Sequence, residues 1–248
     1  MARVVFLGVG GWISEPFLGH TSFAVVGSSG EWIVVEAGEG LYASMRRCNF
    51  DLDDVFRGVV VSHRHGDHIL GLPTILQMAK HRGFGKVMVI SIDDAIDAVR
   101  ELLDATGSQN VFDIADLRAV EMRKRVDVGG FGIEFIDAIH SVPAASVKIY
   151  VDGLCIVYSG DTVYNPELAR FARGCRLLIH EASGYYEEAY RYGHSSYTDA
   201  IATAIEAGVD ILALVHFYLQ PQPVATSSIK GGSSLKILVP QPCTSIEL

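Results

Sequence analysis

The sequence predicts an α/β fold in which two β-sheets pack face to face with helices outside, a four-layer αβ/βα sandwich. Short β-branched runs recur along the 248 residues, each bounded by Gly, Asp, Ser or Pro. The early runs follow one another as neighbours, whereas the later runs alternate with segments of helical period. No linker, repeat or low-complexity stretch divides the chain, so we expect a single domain that spans 1–248.

The strand predictions rest on β-branched composition. The runs that read as strands are 2–8, 22–27, 31–38, 58–62, 86–91, 131–138, 146–153, 154–161, 175–182 and 210–216. Asp152-Gly153 separates two of these runs, as is typical of a two-residue hairpin turn. The Ser/Gly/Pro-rich segment 220–234 predicts a surface loop before a last strand, "LKILVP".

Helical period predicts four helices, over 67–82, 92–107, 165–174 and 196–208. Pro73 is tolerated near a helix N-terminus and is costly further inside. The third helix has clear end signals, because Asn165 can cap it, Pro166 suits its first position and Gly174 follows its end.

The composition excludes several classes of protein. The net charge of −9 argues against a protein that is basic all over for RNA. The apolar run at the N-terminus is too short for a signal peptide, and no apolar stretch is long enough to span a membrane, so we expect no membrane contact. Cys48, Cys155, Cys175 and Cys243 are scattered, which favours buried or free thiols in a reducing compartment and hence a cytoplasmic protein.

The strongest chemical signal is "SHRHGDHILGLP" at 62–73, directly after an apolar run. Residues two apart in extended backbone point the same way, so His63 and His65 can converge on one ion. Asp67 and His68 follow the permissive Gly66 and can face a second position. Imidazole and carboxylate suit Zn²⁺, Mn²⁺ or Fe²⁺. Two such ions about 3.5–4 Å apart can share a hydroxide and clamp a phosphate or carbonyl oxygen.

Further ligands are available at the ends of later strands. His140, Asp161 and His216 each follow an apolar run, so all three can line one edge of the sandwich. His20 and His81 have no such context, and we interpret them as ordinary loop and helix residues.

These motifs resemble the metallo-β-lactamase superfamily, and within it the tRNase Z (ribonuclease Z) branch, which processes the 3′ ends of tRNA precursors. The H-x-H-x-D-H cluster identifies the superfamily only. The combination of "HGDH…GLP", "LIHEAS" (178–183) and "GHSS" (193–196) points to the branch. The resemblance covers nearly the whole chain and implies two pseudo-equivalent halves, roughly 1–130 and 131–248.

The resemblance implies a role for each motif residue. One ion is expected on His63, His65 and His140, the other on Asp67, His68 and His216, with Asp161 as the bridge. A hydroxide between the metals, oriented by Asp67, is the implied nucleophile. His194, held by Glu181, is the implied proton donor to the leaving oxygen. Apart from the family, Glu181 reads as a strand-end salt bridge, and His194 as a loop histidine beside Ser195, a candidate cap for the next helix.

The chain departs from the family pattern at four places. Residues 141–160 alone separate His140 from Asp161, which leaves no room for the family's tRNA-binding arm. The 9–22 segment contains Glu15 and neither Lys nor Arg, where the family often has a basic motif. "HFYLQP" follows the last ligand without the arginine that is frequent there. Glu36 stands where the family usually has Asp, which orients a ligand histidine.

Several functions therefore stay open. The first is a metal-dependent phosphodiesterase of tRNase Z type that acts on RNA 3′ ends. The alternatives are a small-molecule or cyclic phosphodiesterase and a lactone or thioester hydrolase. A dedicated proton donor favours phosphodiester chemistry, because an alkoxide is a poor leaving group. A non-enzymatic binding module is disfavoured, because a member of an enzyme family that has lost its catalytic activity has usually lost metal ligands as well.

Two further stretches concern partners. The aromatic segment 184–197 reads as a lid or a dimer interface, or as a wall on which a base stacks, and the resemblance implies a homodimer. The basic runs at 80–86 and 123–125 read as solvated surface charge.

Overall fold

The computed structural model describes residues 1–184, 188–221 and 235–248. Within these ranges the strands form two seven-stranded sheets and one two-stranded sheet. Most of the loop predicted at 220–234 lies outside the described residues, as do Tyr185 and Tyr186 of the aromatic segment. No helix of the described ranges has the length and hydropathy to cross a membrane.

The first sheet is built mainly from the N-terminal part of the chain. In spatial order it consists of β16 (Ser245–Glu247), β1 (Arg3–Gly8), β3 (Ser22–Val26), β4 (Trp32–Val35), β5 (Phe56–Val60), β6 (Val87–Ser91) and β7 (Ala115–Ala119). The strands from β16 to β4 are antiparallel, and those from β4 to β7 are parallel. The carboxyl ends of its parallel strands therefore lie at one edge.

The second sheet repeats this plan. In spatial order it consists of β15 (Lys236–Leu238), β13 (Ile211–Val215), β12 (Leu177–Glu181), β11 (Leu154–Tyr158), β10 (Ala145–Val151), β9 (Phe131–Asp137) and β8 (Val126–Val128). The strands from β15 to β11 are parallel, and those from β11 to β8 are antiparallel. β2 (Gly10–Ser14) and β14 (Phe217–Leu219) form the small parallel sheet.

Helices cover the outer face of each sheet. The helices are α1 (Leu41–Arg47), α2 (Gly66–Ile69), α3 (Leu72–His81), α4 (Asp93–Ala105), α5 (Pro166–Ala172), α6 (Glu188–Arg191) and α7 (Tyr197–Ala207). The apolar faces of α1, α3 and α4 pack with the first sheet, and α5 and α7 contact the second. A core that includes Phe6, Phe23, Phe135 and Tyr158 joins the two sheets. The layers are those that the sequence predicts.

The sequence signals for one hairpin turn and one helix cap are confirmed. The β10–β11 hairpin pairs Val151 with Leu154, and its turn residues Asp152 and Gly153 have φ of 50° and 78°, as a primed turn requires. The Asn165 side chain accepts a hydrogen bond from the Glu167 N–H at 3.0 Å and so caps α5.

Two helix predictions need correction. The helix predicted over 67–82 is two helices, α2 and α3, because Pro73 lies in the first turn of α3, where its missing N–H costs nothing. The cap of α7 is Ser196, not Ser195, and it forms a capping box with Asp199. The Ser195 hydroxyl instead donates to the Thr162 carbonyl at 2.6 Å.

The prediction of free cysteines is wrong. Cys48 pairs with Cys243, and Cys155 pairs with Cys175. The first disulfide joins the end of α1 to the turn before β16, at a sequence separation of 195. Neither pair has a recognisable spacing, so the fold alone brings them together. The argument for a cytoplasmic location from free thiols is thereby lost.

Candidate active site

The candidate residues follow strand ends at the edge where the two sheets meet. Ala145 N–H donates to the Ser62 carbonyl at 3.1 Å, and His63 bridges to Ala144, so the loop after β5 lies against the start of β10. His140 follows β9, Asp161 follows β11 and His216 follows β13. The strand-end prediction thus places all seven candidate ligands in one region.

The first ligand group consists of His63, His65, His140 and Asp161. Each offers one ligand atom, and these atoms all lie within 4.8 Å of one another. His65 Nδ1 is 3.0 Å from His63 Nε2 and 3.1 Å from His140 Nε2. Asp161 Oδ2 lies 3.6 Å from His63 Nε2. His63 and His65 therefore converge, as their spacing predicts.

The second ligand group consists of Asp67, His68, Asp161 and His216, all buried. Asp67 and His68 lie in the single turn of α2, which directs both inward. Asp67 Oδ2 is 3.1 Å from His216 Nε2, and Asp161 Oδ2 is 3.3 Å from both His68 Nε2 and His216 Nε2. Asp161 belongs to both groups, which is the arrangement that a bridging ligand needs.

Outer partners fix the orientation of the ligand histidines. His140 Nδ1 lies 2.8 Å from the Gly193 carbonyl, and His63 Nδ1 lies 2.9 Å from Ser62 Oγ. A ring whose Nδ1–H donates to such a partner presents an unprotonated Nε2 on its other side. In both residues that Nε2 is the atom that faces the ligand group.

Glu36 lies within ion-pair distance of His68, without a hydrogen bond to its Nδ1, and has an unusual backbone conformation. Its φ is 65°, in the left-handed region, and the side chain is fully buried. Oε1 accepts the Ser62 N–H at 3.1 Å, while Oε2 lies 3.2 Å from His68 Nδ1. The longer side chain therefore reaches the ligand histidine, as expected for the residue in this position.

The two groups suit divalent cations. Asp67 Oδ1 and Asp161 Oδ1 are buried and have no hydrogen-bond partner among the described residues. Burial raises the pKa of Asp67, but His68 and His216 outweigh this and lower it below its ordinary value. Ionised carboxylates in such a setting need cationic partners, and a set of imidazoles and carboxylates fits Zn²⁺, Mn²⁺ or Fe²⁺.

Glu181 and His194 form a pair beside the second group. His194 Nδ1 is 3.0 Å from Glu181 Oε1, and Glu181 also accepts the Thr162 N–H at 2.9 Å. Burial lowers the pKa of His194, but the Glu181 carboxylate, together with Asp161 and Asp67, outweighs burial and raises this pKa to about 9. The imidazolium form is therefore favoured, as a proton donor requires.

Ser183 is a functional candidate that the sequence analysis missed. Its Oγ lies 2.8 Å from Glu181 Oε2 and 2.7 Å from His216 Nδ1. A carboxylate only accepts, so the hydroxyl donates to Glu181 and accepts from the His216 N–H. Ser183 thus joins the proton-donor pair to a ligand histidine. Its position after "LIHEA" is the only sequence signal for this role.

The remaining predictions concern residues outside the two groups. His20 Nδ1 lies 3.1 Å from the Gly11 carbonyl, and His81 ends α3; neither joins a ligand group of the described chain. In the basic runs, Lys80 pairs with Asp113 at 2.8 Å and Arg123 with Glu167 at 3.3 Å, as surface charges do.

A cavity of about 860 Å³ opens onto the candidate ligands. Its described walls come from β2, the loop after β12, the end of α6 and β14. The lining residues are Gly11, Trp12, Ile13, Glu15, His65, Asp67, His140, Ser141, Asp161, Ser183, Gly184, Ala189, Tyr192, His194, His216, Tyr218, Leu219 and Gln220. None of these is Lys or Arg, which agrees with the missing basic motif after β1.

Residues 31–217 match the β-lactamase superfamily domain family, and the chain belongs to this family. It is similar to the Ribonuclease Z of Methanopyrus kandleri, with 25% identity over 88% of each chain. It is also similar to the Ribonuclease Z of Sulfolobus acidocaldarius, with 27% identity over 87% of this chain and 88% of the relative. The predicted resemblance to the ribonuclease Z branch is confirmed.

Solved structures confirm the fold. The metallo-β-lactamase fold protein YhfI of Bacillus subtilis has a TM-score of 0.83 and 19% identity over 100% of both chains. The short form of human tRNase Z has a TM-score of 0.80 and 19% identity over 99% of this chain and 98% of its own. Zn²⁺-bound PqqB of Methylobacterium extorquens has a TM-score of 0.82 and 12% identity over 99% and 100%. The predicted αβ/βα sandwich is correct.

Proposed function

We propose that this chain is a two-metal phosphodiesterase that cleaves RNA near the 3′ end. The coarser class, a ribonuclease Z-like metal-dependent hydrolase, is confirmed by the family and the relatives. The observation that carries the proposal is the sharing of Asp161 between two ligand groups beside the Glu181–His194 pair. We further propose that both groups hold Zn²⁺, with Mn²⁺ or Fe²⁺ as alternatives.

Each residue has a role in this proposal. His63, His65 and His140 would hold one ion, Asp67, His68 and His216 would hold the other, and Asp161, which belongs to both groups, would serve both. When bound, such ions polarise a phosphoryl oxygen and activate water. Asp67 orients the attacking water through its carboxylate. His194 Nδ1 is engaged by Glu181, which leaves Nε2 as the atom that donates a proton to the leaving oxygen.

The test is cleavage of a tRNA precursor with a 3′ trailer by protein loaded separately with Zn²⁺ and Mn²⁺. We expect a metal-dependent cut at the base of the trailer. His65→Ala removes a ligand and should abolish it, while His81→Ala, at the exposed end of α3, is the matched control. Equal loss in both variants, or cleavage that survives in His65→Ala, would contradict the proposal.

A small phosphodiester is the second candidate substrate. The β10–β11 hairpin takes up most of the sequence between His140 and Asp161, where the family's tRNA-binding arm is expected, so the arm is missing. The described cavity wall has no Lys or Arg. A diphosphatase of the PhnP family shares the fold, with a TM-score of 0.78 and 14% identity over 100% of this chain and 98% of its own. Hydrolysis of a simple aryl diester without cleavage of the tRNA precursor would favour this candidate.

Assembly and location complete the proposal. We propose one domain of two halves, supported by a core that draws on both sheets. We also propose a homodimer, as the resemblance to the ribonuclease Z branch implies. Light scattering should give twice the monomer mass of 26.9 kDa. We propose a cytoplasmic location because the proposed function is RNA processing, and cell fractionation tests it.

A further inference from the structure

An exposed tryptophan, Trp12, lines the cavity beside the first ligand group. Trp12 lies in β2 and is 59% exposed. Its ring centroid is 5.5 Å from that of His65, at an interplanar angle of 45°. β2 pairs with β14, and Glu15 N–H donates to the Leu219 carbonyl at 2.8 Å, so hydrogen bonds fix the backbone of the strand that carries Trp12.

The described part of the same wall has no permanently cationic side chain that could contact a chain of phosphates. Glu15 is a carboxylate, and the described lining residues include no Lys or Arg. Arg64 lies between two ligand histidines in sequence, yet it pairs with Asp94 at 3.4 Å and does not line the cavity. Binding of successive phosphates depends on Lys and Arg, so the described part of the wall has to recognise a substrate by other contacts.

The described wall presents aromatic surface. Tyr192 is 66% exposed and lines the same cavity as Trp12. Two exposed aromatic side chains therefore border the space in front of the candidate ligands. A base stacked on an aromatic ring raises affinity roughly 5- to 150-fold, whatever its identity.

We propose that Trp12 is the stacking platform for the unpaired base next to the scissile phosphate. The substrate class that follows is a nucleotide phosphodiester with an unpaired base beside the scissile phosphate, whether in a short oligonucleotide or in a single-stranded RNA 3′ end. This inference rests on the proposed phosphodiesterase function. Trp12 sets specificity by contact with the substrate and takes no part in bond cleavage.

Binding of AMP and of methyl β-D-ribofuranoside 5-phosphate to the Zn²⁺-loaded protein tests the proposal, because a methoxy group replaces the base on the same ribose 5-phosphate. Calorimetry should give AMP an affinity roughly 5- to 150-fold higher. Trp12 fluorescence should respond to AMP, whereas Trp32, at 2% exposed, is shielded from it. Trp12→Phe keeps a ring and should keep the preference, while Trp12→Leu should lose it. Phe112→Leu, exposed and outside the cavity, is the matched control.

The outcomes separate this proposal from the proposed function. A preference for AMP that survives in Trp12→Leu, or equal affinities in the wild type, would overturn stacking on Trp12 even if diesters are hydrolysed. A Trp12-dependent preference without hydrolysis of the tRNA precursor or of methyl p-nitrophenyl phosphate would refute the phosphodiesterase function. The claim that the bound nucleotide is a substrate would then fall with it.

Discussion

Glu181→Gln removes the charge that sustains the proposed proton donor while preserving its shape. The carboxylate is fully buried and lies 3.0 Å from His194 Nδ1. Burial opposes the charge on His194, but Glu181, together with Asp161 and Asp67, raises its pKa from the ordinary 6.5 to about 9. At about 1.4 kcal/mol for each pKa unit, the three carboxylates together favour the imidazolium by about 3 kcal/mol. In the variant, we expect the pKa of His194 to fall below that of the wild type, because the largest of these contributions is lost.

The assay compares two leaving groups. Expulsion of an alkoxide from RNA needs a proton, whereas p-nitrophenolate leaves without one, so the variant should lose about 10²–10⁴-fold in kcat on RNA and far less on methyl p-nitrophenyl phosphate. Glu167→Gln alters an exposed carboxylate and serves as the control. An equal loss on both substrates would refute the assignment of His194 as proton donor, because it would indicate a general disturbance of the site.

In the metal-free protein, the effect of Glu181 on the pKa of His194 can be measured directly. A pKa raised on folding contributes stability that is complete below the ordinary value of 6.5 and is lost as the pH rises through about 9. The free energy of unfolding of the wild type should therefore fall across this window more than that of Glu181→Gln. An NMR titration of the His194 ring should show the corresponding change in pKa, and an unchanged pKa in the variant would contradict the argument.

Three further predictions concern the disulfides, Ser183 and the metals. Replacing Cys48 and Cys243 by Ser should lower the free energy of unfolding by about 5 kcal/mol, and replacing Cys155 and Cys175 by Ser should lower it by about 3 kcal/mol. The first effect is larger because the first pair closes the longer loop. Denaturant titration measures both, and the reverse order would contradict this argument. Ser183→Ala should weaken metal binding about 10–100-fold, measured by competition with a chromogenic chelator, and an unchanged affinity would exclude its role in orienting a ligand. Removal of metal by a chelator should abolish hydrolysis and lower the melting temperature; an unchanged melting temperature would show that the buried carboxylates need no cation.

The fold was predictable where residue type and period agree. Continuous apolar runs predicted the buried parallel strands, and Asp152-Gly153 predicted the hairpin turn, since few residues adopt the required positive φ. The sequence did not reveal β7 or β16, because both are short edge strands with polar residues that only pairing defines. It also left α1 unassigned, since its N-cap Gly40 offers no side-chain signal.

The candidate site was more predictable than the fold, since ligand types are rare and follow strand ends. His140, Asp161 and His216 lie far apart in sequence, but parallel topology brings such ends to one edge. Ser183 was missed because a serine after a strand is common and its role depends on two partners that meet only in three dimensions. Trp12 was overlooked for the same reason: nothing in its neighbours indicates contact with His65.

Glu36 and His216 combine a left-handed backbone conformation with a side chain that the candidate site uses. Glu36 and His216 each follow a strand of a parallel pair and have φ of 65° and 60°. A left-handed conformation costs such residues about 1–2 kcal/mol, and glycine would avoid that cost. Glycine would supply neither the carboxylate that contacts His68 nor the imidazole that contacts Asp67. The chain therefore violates local preference where the chemistry requires a side chain, which is where a functional site differs from a core.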